Sequence, residues 1–303
     1  MDDNQIMVSV CMITYNHEPY IKQAIEGVLM QKTNFKYELI IGEDCSSDNT
    51  RNICQRFSPT DHQIKLLPTV QKLGMIPNFM RTLQSCSGKY IAICEGDDYW
   101  IDPLKLQRQI DFLETHREYA GSAHQAMVLI DNQENRLFRK NVPNDISVDD
   151  IIGGRLFHTA SVVFRRTVLA LLNNAPTVLS GDRLLNFCIA FLGKIRFTDD
   201  CMCAYRIHGS GMSSTATVKQ MLLDLNCIPY LKRIYPSFPK YRYISYVYTT
   251  IGLCRNGPFF QRLYYIFLSF LFSFSYFPNN ISIIFRRIVK NSAKRAGLPK
   301  HKT

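Results

Sequence analysis

Apolar positions in the first hundred residues form short β-branched runs that alternate with segments of helical spacing. In the first helical segment, residues 20–30, apolar side chains recur at every third or fourth position, and Pro19 suits the first turn. The resulting βαβαβαβ order is typical of a parallel sheet with right-handed connections. Strands are predicted at 8–13, 37–41, 64–67 and 90–94, and helices at 20–30, 49–57 and 77–86.

After residue 100 the pattern is less regular, but it still alternates between helix and strand. Leu106, Ile110 and Leu113 share one face of a predicted helix over 103–116. Further strands are predicted at 122–130, 159–164 and 201–207, and a further helix at 182–192. The fold class is therefore predicted to be α/β.

The net charge of +11 is distributed very unevenly along the 303 residues. No Asp or Glu occurs from Leu225 to Thr303, whereas that stretch contains 13 Lys and Arg residues. The first 224 residues carry 23 basic and 25 acidic side chains, so they are close to neutral. This change of composition predicts a body over 1–215 and a basic, helical C-terminal extension over 216–303.

The C-terminal extension contains an uncharged apolar segment over 263–285, followed by seven Lys or Arg residues in the last 18 positions. A helix over 263–277 would be about 22 Å long, short of the roughly 30 Å hydrocarbon layer. With the break at 278–280, this favours an interfacial helix or helical hairpin on an anionic membrane. A spanning helix of 23 residues, or a subdomain packed on the body or a partner, is the alternative. Nucleic acid is disfavoured because the basic residues flank an apolar segment.

Cysteine placement and the N-terminal residues predict a cytoplasmic protein. The ten cysteines are scattered, lack a CxxC pair, and fit buried reduced thiols better than disulfides or zinc. Acidic residues stand where a signal peptide has basic ones, so export is not expected. With the apolar extension, the expected location is peripheral, on the inner face of the cell membrane.

Polar clusters follow three of the predicted strands. Asn16 follows the first strand, Glu43 and Asp44 the second, and the acidic segment 95–98 the fourth. Ligands bind beyond the carboxyl ends of parallel strands, so these clusters are expected to converge there. Carboxylates hold Mg²⁺ or Mn²⁺, which in turn bridge to a diphosphate. The motifs GxGxxG, GxxxxGK[ST], HExxH and GxSxG are absent from the sequence.

Three motifs, Ile13–Asn16, Glu43–Thr50 and Glu95–Asp98, together resemble the family 2 inverting glycosyltransferases of GT-A fold, over about residues 7–215. The resemblance implies a Rossmann-like sheet and a nucleotide-sugar donor. It implies that Thr14, Tyr15 and Asn16 line the uridine or thymidine pocket, and that Glu43 and Asp44 also contact the donor, Asp44 at the base. Glu95, Gly96 and Asp97 stand at the family's DxD position, so Asp97 and Asp98 are the expected ligands of Mn²⁺ or Mg²⁺. Glu replaces the common first Asp at both 43 and 95.

Two later segments extend the resemblance. The stretch 180–185 is similar to the family's acceptor side, so Asp182 is the expected catalytic base; capping of the following helix is the alternative role. The stretch 205–208 is similar to the end of the catalytic domain. There His208 is expected to reach the metal or the diphosphate, and Arg206 to neutralise diphosphate charge, with a surface role as the alternative. Trp100 is expected to support the sugar site or to belong to the core.

The sequence thus favours transfer of a sugar, with inversion, from a UDP- or dTDP-sugar to a hydroxyl of a saccharide, preferably a lipid-linked one. A sugar-1-phosphate nucleotidyltransferase is the second hypothesis, although its Gly-rich basic loop does not follow the first strand. A catalytically inactive membrane scaffold is the third, and the joint presence of Asp44, Asp97, Asp98 and Asp182 speaks against it. The donor sugar, the acceptor, the linkage and the oligomeric state are not indicated by the sequence.

Overall fold

The computed structural model describes residues 5–57, 63–130, 133–173, 175–208, 216–254 and 258–273. The chain divides into two compact units. The first comprises residues 1–151, 155–175 and 180–211, and the second comprises 152–154, 176–179 and 212–303. The second unit therefore takes most of its residues from the basic C-terminal part of the chain.

The first unit contains the predicted parallel strands in the order β3-β2-β1-β4. These strands are β1 (Val8–Thr14), β2 (Tyr37–Glu43), β3 (Ile64–Leu66) and β4 (Tyr90–Ile93), connected by α1 (Ile21–Leu29), α2 (Thr50–Phe57) and α3 (Met75–Gln84). β1, β2 and β4 are buried almost throughout, as expected of central strands covered on both faces. The prediction of four strands and three helices is confirmed, with ends that differ by two residues or fewer.

The sheet continues beyond β4 in the order β9-β6-β10-β5, and the two short strands β7 and β8 pair with β6 and β10. The strands are β5 (Tyr99–Trp100), β6 (Tyr119–Ile130), β7 (Gln133–Leu137), β8 (Asp145–Ile146), β9 (Val163–Arg165) and β10 (Lys194–Ile207). The helices of this half are α4 (Lys105–Thr115), α5 (Val148–Ile152), α6 (Leu169–Leu172) and α7 (Gly181–Leu192). Because β9 runs antiparallel to both β4 and β6, the sheet is mixed, and the α/β fold class is confirmed.

The strand predicted at 159–164 differs from the structure. Thr159–Ser161 form a 3₁₀ turn, and the strand begins only at Val163. The turn is stabilised by His158, whose Nδ1 accepts from the Ala160 nitrogen and whose carbonyl accepts from the Ser161 hydroxyl. Such local side-chain bonds compete with strand pairing, which explains why the β-rich composition was misleading. The strand predicted at 201–207 begins earlier than expected, at Lys194.

The second unit is helical in the part that the structure describes. It contains α8 (Val218–Leu222), α9 (Cys227–Ile234), α10 (Lys240–Leu253) and α11 (Phe259–Ser273). Across the described residues, no helix has the length and apolarity needed to cross a membrane. The predicted apolar segment is described only as far as residue 273, and the break at 278–280 and the basic end lie outside the described residues. No disulfide joins the ten cysteines, all of which the structure describes, and seven of them are buried.

Helix α1 passes close to β5, and Gly27 makes this approach possible. A Cβ atom at Gly27 would lie 2.9 Å from the Trp100 carbonyl oxygen and 3.0 Å from the Trp100 nitrogen. Both neighbours are backbone atoms, which cannot move aside as a flexible side chain can. The position of β5, which follows the acidic segment 95–98 directly, therefore depends on a residue without a side chain.

We expect Gly27→Ala to lower the free energy of unfolding by about 1–3 kcal/mol, because the added methyl group overpacks this contact. Helix propensity alone would have the opposite sign, stabilising by about 0.5–1 kcal/mol. Gly153→Ala is the control, since a Cβ there meets no atom within 4 Å. Urea denaturation of the two variants and the parent measures both effects, and a stabilised Gly27→Ala would contradict the close approach.

Candidate active site

The candidate site lies where β1, β2 and β4 end. Thr14 pairs with Glu43 as the last residue of both strands. The Asp44 nitrogen donates to the Thr14 carbonyl at 3.1 Å, and the Gly96 nitrogen donates to the Ile13 carbonyl at 2.9 Å. The structure therefore brings the first, second and fourth polar clusters to one edge of the sheet.

The loops after β1 and β2 are tied to each other by side-chain bonds. The Asn16 nitrogen donates to the Ser46 hydroxyl at 3.0 Å, and the Asn16 amide oxygen accepts from the Ser47 nitrogen at 2.9 Å. Asn16 and Cys45 both have positive φ angles, 53° and 56°. Asn tolerates this conformation better than Cys does, so the bonds between the loops hold Cys45 in a strained turn.

Glu43 and Asp44, both buried, are occupied by protein donors. Glu43 accepts from the Ser46 nitrogen and from Arg51, whose Nη1 lies 2.8 Å from Oε2. The two oxygens of Asp44 accept from the nitrogens of Leu73 and Gly74, at 2.7 and 2.8 Å. In this state the two carboxylates fix the loops that border the site.

Tyr15, predicted to border the base pocket, is half-buried and has the Lys72 ammonium 3.6 Å from its ring centre. Lys72 belongs to the same loop that Asp44 holds through Leu73 and Gly74. A cation over an aromatic face is a favourable contact. Tyr15 is therefore joined through this loop to the end of β2.

The acidic segment 95–98 brings carboxylates together under strong mutual repulsion. Burial, together with the charges of Asp97 and Asp182, raises the pKa of Glu95 to about 8. Burial, then the charges of Asp97 and Glu95, also raise the pKa of Asp98 well above its usual value. Gly96 leaves no room for a side chain, because a Cβ there would lie 2.6 Å from the Thr14 hydroxyl.

Asp97 differs from its neighbours because two histidines face it. The Asp97 Oδ2 atom lies 3.1 Å from His208 Nε2 and 3.9 Å from His17 Nε2. Burial alone would raise the pKa of Asp97, but the hydrogen bond with His208 and the charge of His17 bring it below its usual value. The same hydrogen bond raises the pKa of His208, whereas burial lowers that of His17. Asp97 is therefore the carboxylate of the segment that is best kept ionised.

Asp98 belongs to a second group, with Glu95 and His158. Each of the three offers one ligand atom, and these atoms lie within 4.8 Å of one another. His158 Nδ1 is 3.5 Å from Asp98 Oδ2, and Asp98 is only 1% exposed. The three predicted metal ligands are thus divided, with Asp97 and His208 in one group and Asp98 in the other.

The donor set fits a divalent cation. Oxygen and imidazole ligands suit Mg²⁺ or Mn²⁺, and a cation beside Glu95 and Asp98 would offset the repulsion that raises their pKa values. The buried atoms Thr14 Oγ1 and His17 Nδ1, which border the same segment, have no hydrogen-bond partner in the structure. The chemistry of the site therefore agrees with the predicted metal.

Asp182 lies in the first turn of α7 and is paired with an arginine. Arg155 Nη1 is 3.4 Å from Asp182 Oδ2, and the Asp182 side chain remains 23% exposed. Asp182 lies near enough to the acidic segment for its charge to contribute to the raised pKa of Glu95. The partial exposure leaves this carboxylate within reach of an incoming group.

Arg206 and Trp100 support the site from within the protein. The Arg206 nitrogen donates to Asp98 Oδ1 at 2.9 Å, its Nη1 to the Asp97 carbonyl at 2.7 Å, and its Nη2 to Gln23. Trp100 is buried, and its Nε1 donates to the Ala160 carbonyl at 2.8 Å. In these positions both side chains hold the segments that carry the acidic and imidazole groups.

Three residues at the site were not found by sequence reasoning: His17, Arg155 and His158. Arg155 and His158 lie outside every recognised motif, and burial of His158 follows from the turn that replaces the predicted strand. His17 follows Asn16 directly, so its place in the first loop after β1 was a usable signal. The other two lie just before β9, the strand that runs antiparallel to β4 and β6.

Comparison with known proteins gives a family match. A family model described as "Glycosyl transferase family 2" matches residues 9–168. The uncharacterized protein Rv1520 of Mycobacterium tuberculosis is 33% identical over 214 residues, which are 69% of this chain and 61% of that protein. This chain thus covers less than two thirds of the mycobacterial relative.

Two relatives have more specific names. The putative teichuronic acid biosynthesis glycosyltransferase TuaG of Bacillus subtilis is 25% identical over 69% of this chain and 82% of its own length. An Escherichia coli protein, named UDP-Glc:alpha-D-GlcNAc-diphosphoundecaprenol beta-1,3-glucosyltransferase WfgD, is 40% identical over 37% of this chain and 42% of its own.

Solved structures share the fold. TarS 1-349 of S. aureus, in complex with UDP-GlcNAc, superposes with a TM-score of 0.61 at 15% identity, covering 81% of this chain and 82% of that one. The mannosyltransferase PcManGT of Pyrobaculum calidifontis, in complex with GDP-Man and Mn²⁺, gives a TM-score of 0.54 at 15% identity, covering 96% and 88%. At such identities the likeness shows a common GT-A fold.

Lys105, under the site, makes the stability of the first unit depend on pH. Its ammonium group is fully buried, 2.8 Å from Gln109 Oε1 and 4.1 Å from the Trp100 ring centre. Burial lowers its pKa to about 7, whereas an unfolded chain titrates Lys near about 10.4. A lowered pKa of this kind destabilises the fold fully below pH 7, and the penalty disappears as the pH rises towards 10.

We expect the parent to gain roughly 2–3 kcal/mol of unfolding free energy relative to Lys105→Met between pH 7 and pH 9.5. Lys65→Met, at an exposed strand position, is the control and should show no such trend. Urea denaturation across this pH range measures the difference. A constant difference between the parent and Lys105→Met would mean that the buried amine does not titrate there.

Proposed function

Given that the chain belongs to glycosyl transferase family 2, we propose that it transfers a sugar from a UDP- or dTDP-sugar to a hydroxyl group of a saccharide acceptor, with inversion at the anomeric carbon. The observation that carries this proposal is a partly exposed carboxylate, Asp182, held by Arg155 and near enough to the acidic segment 95–98 to contribute to the raised pKa of Glu95. Catalytic transfer requires a base on the acceptor side and positive charge on the leaving-group side. We assign residues 1–215 to this catalytic domain and 216–303 to a membrane-associated extension.

In the proposed reaction, Asp182 takes the proton of the acceptor hydroxyl as its oxygen attacks the anomeric carbon. The bond from that carbon to the diphosphate oxygen breaks, and the nucleoside diphosphate leaves with the bonding electrons. Arg155 donates to Asp182 and holds the carboxylate in place while leaving it partly exposed. Thr14, Tyr15 and Asn16 would contact the nucleoside at the adjoining strand end.

Mn²⁺ or Mg²⁺ would neutralise the diphosphate charge, held by Asp97 and His208, with Asp98 as the third predicted ligand. Because Asp98 is grouped with Glu95 and His158, the metal has two candidate sets of ligands, which a direct test can distinguish. His17 and His208 keep Asp97 ionised, as a ligand of a divalent cation must be. Arg206 would act by holding the backbone and side chains of 97–98.

The acceptor and location follow from the extension and from the named relatives. The name of the E. coli protein WfgD specifies a diphosphoundecaprenol-linked acceptor, and that of TuaG refers to teichuronic acid biosynthesis. We propose a lipid-linked saccharide as the acceptor, in cell-surface polysaccharide synthesis on the inner face of the membrane. The acid-free, basic composition after Leu225 supports that location.

Nucleotide binding should require a divalent metal, because the acidic segment would repel a diphosphate. In calorimetry, UDP and dTDP should bind at least about tenfold more tightly in Mn²⁺ than in EDTA. Asp97→Ala should lose this metal-dependent gain, while Asp111→Ala, an exposed acid on α4, should keep it. Parallel measurements on Asp98→Ala and His158→Ala decide between the two groups of ligands. Equal affinity in Mn²⁺ and EDTA would remove the metal from the proposal.

Replacing the proposed base should affect turnover rather than donor binding. Asp182→Asn keeps the shape and can accept a hydrogen bond from Arg155, but it is not a base, so turnover should fall by about 10²–10⁴-fold. The donor affinity should stay within about twofold, and Asp111→Asn should change neither quantity. Steady-state kinetics with a nucleotide sugar and calorimetry of the donor measure the two effects. Near-normal turnover of Asp182→Asn would assign the base to another residue.

A further inference from the structure

Helices α10 and α11 form an antiparallel pair whose contact combines aromatic pairs, Tyr248 with Tyr265 and Phe272, with close approach at small residues. The Ser245 hydroxyl on α10 donates to the Ser269 carbonyl on α11 at 2.9 Å. Further along, a Cβ at Gly252 would lie 2.5 Å from Ile266 Cγ1 and 3.0 Å from the Arg262 carbonyl. Close approach through small residues is the way in which helices pack when apolar side chains do not drive their association.

Helix α11 buries small polar residues and exposes large apolar ones, which is the reverse of a helix in a water-soluble domain. Its buried residues are Ser269 and Ser273, whereas Phe260 and Phe267 are 82% and 58% exposed. Successive residues in a helix are rotated by about 100°, so the exposed side chains fall within an arc of about 100°, opposite the two serines. This exposed face of α11 consists of Phe260, Leu263, Tyr264, Phe267 and Leu271.

An apolar and aromatic stripe of this kind marks a surface that another apolar phase covers. Within the described part of the second unit, α11 supplies five adjacent exposed apolar side chains, and Phe259 adds a sixth at its start. Phe and Tyr are suited to the boundary between headgroups and acyl chains. The 15 described residues of α11 extend over about 22 Å, and their one-sided exposed face suits a helix that lies in the plane of a membrane surface.

The charge of the second unit indicates which apolar phase covers the exposed face of α11. No acidic residue occurs from Leu225 onward, and Lys232 and Arg233 on α9 are exposed basic side chains of the same unit. Such a surface is attracted to anionic headgroups, by about 1 kcal/mol for each basic residue near them. A second copy of the chain would bring a like-charged, acid-free surface instead, which opposes self-association through this face.

We propose that the exposed face of α11 binds an anionic lipid surface, lying parallel to it, with Phe260 and Phe267 inserted below the headgroups. The proposal rests on the membrane location proposed above and deepens it by naming the face that makes the contact. It also gives the serines of α11 a role, since they let the helix pack closely on α10 while the five side chains of the exposed face point away.

Co-sedimentation of the full chain with vesicles tests the proposal. The full chain should bind vesicles of phosphatidylglycerol and phosphatidylcholine more tightly than vesicles of phosphatidylcholine alone. Raising the salt should weaken this binding without abolishing it, because the apolar contact is not screened. Phe260→Ser with Phe267→Ser should weaken it at least about tenfold, as expected for the loss of two inserted aromatic side chains.

The matched control is Leu137→Ser with Leu192→Ser, two exposed apolar residues of the first unit, which should bind as the parent does. Thermal unfolding and UDP binding with Mn²⁺ should be unchanged in both double variants, which separates this proposal from that of the catalytic site. Unchanged vesicle binding by Phe260→Ser with Phe267→Ser would overturn the assignment of the face. Absence of binding by the full chain would overturn the membrane location as well. Light scattering that shows a dimer disrupted by these two substitutions would assign the face to a second copy.

Discussion

Repulsion between carboxylates at one edge of the sheet is the constraint around which the first unit is arranged. Glu95, Asp97 and Asp98 follow β4 within five residues, and Asp182 adds its charge from α7. Left alone, such groups would bind protons or drive the segment apart. The protein instead surrounds them with basic and imidazole side chains, His17, Arg155, His158, Arg206 and His208, each contacting one of the four. Burial and the remaining repulsion raise the pKa values of Glu95 and Asp98, and both effects favour the binding of a divalent cation.

The loops that border these carboxylates are held by a different set of acidic groups. Glu43 and Asp44 are used within the protein, one holding Arg51 and the other the backbone at Leu73 and Gly74. Two acidic residues at the end of β2 thus fix loops, while those after β4 are left for the proposed metal and donor. A site whose loops are fixed in this way would need little reorganisation on binding the proposed donor.

Most of the fold and part of the site could be predicted from the sequence, and the limits have physical causes. The strands and helices up to Gln84 follow local hydrophobic periodicity, and the convergence of Asn16, Glu43 and the segment 95–98 follows from parallel pairing. The position of β9 between β4 and β6 depends on contacts that are distant in sequence. Neither this position nor the location of His158 at the site could therefore be predicted. An interior role was among the alternatives for Trp100 but not for Arg206, whose predicted alternative was a surface role, although both are buried, because burial is not a property of a motif. The exposed face of α11 could not be predicted either, because it consists of the side chains that α10 leaves uncovered.

The hydrogen bonds between β10 and the acidic segment have a consequence for folding while the chain is being synthesised. Asp98 accepts from the Arg206 nitrogen, 108 positions later, and Asp97 contacts His208, 111 positions later. While the nascent chain ends before residue 200, strands β1 to β4 are already available to pair, but their carboxylates have none of these partners. Before β10 is synthesised, Asp97 and Asp98 therefore lack Arg206 and His208, although His17 and His158, which contact the same two carboxylates, are already present. Synthesis of β10 then supplies the remaining contacts of the acidic segment.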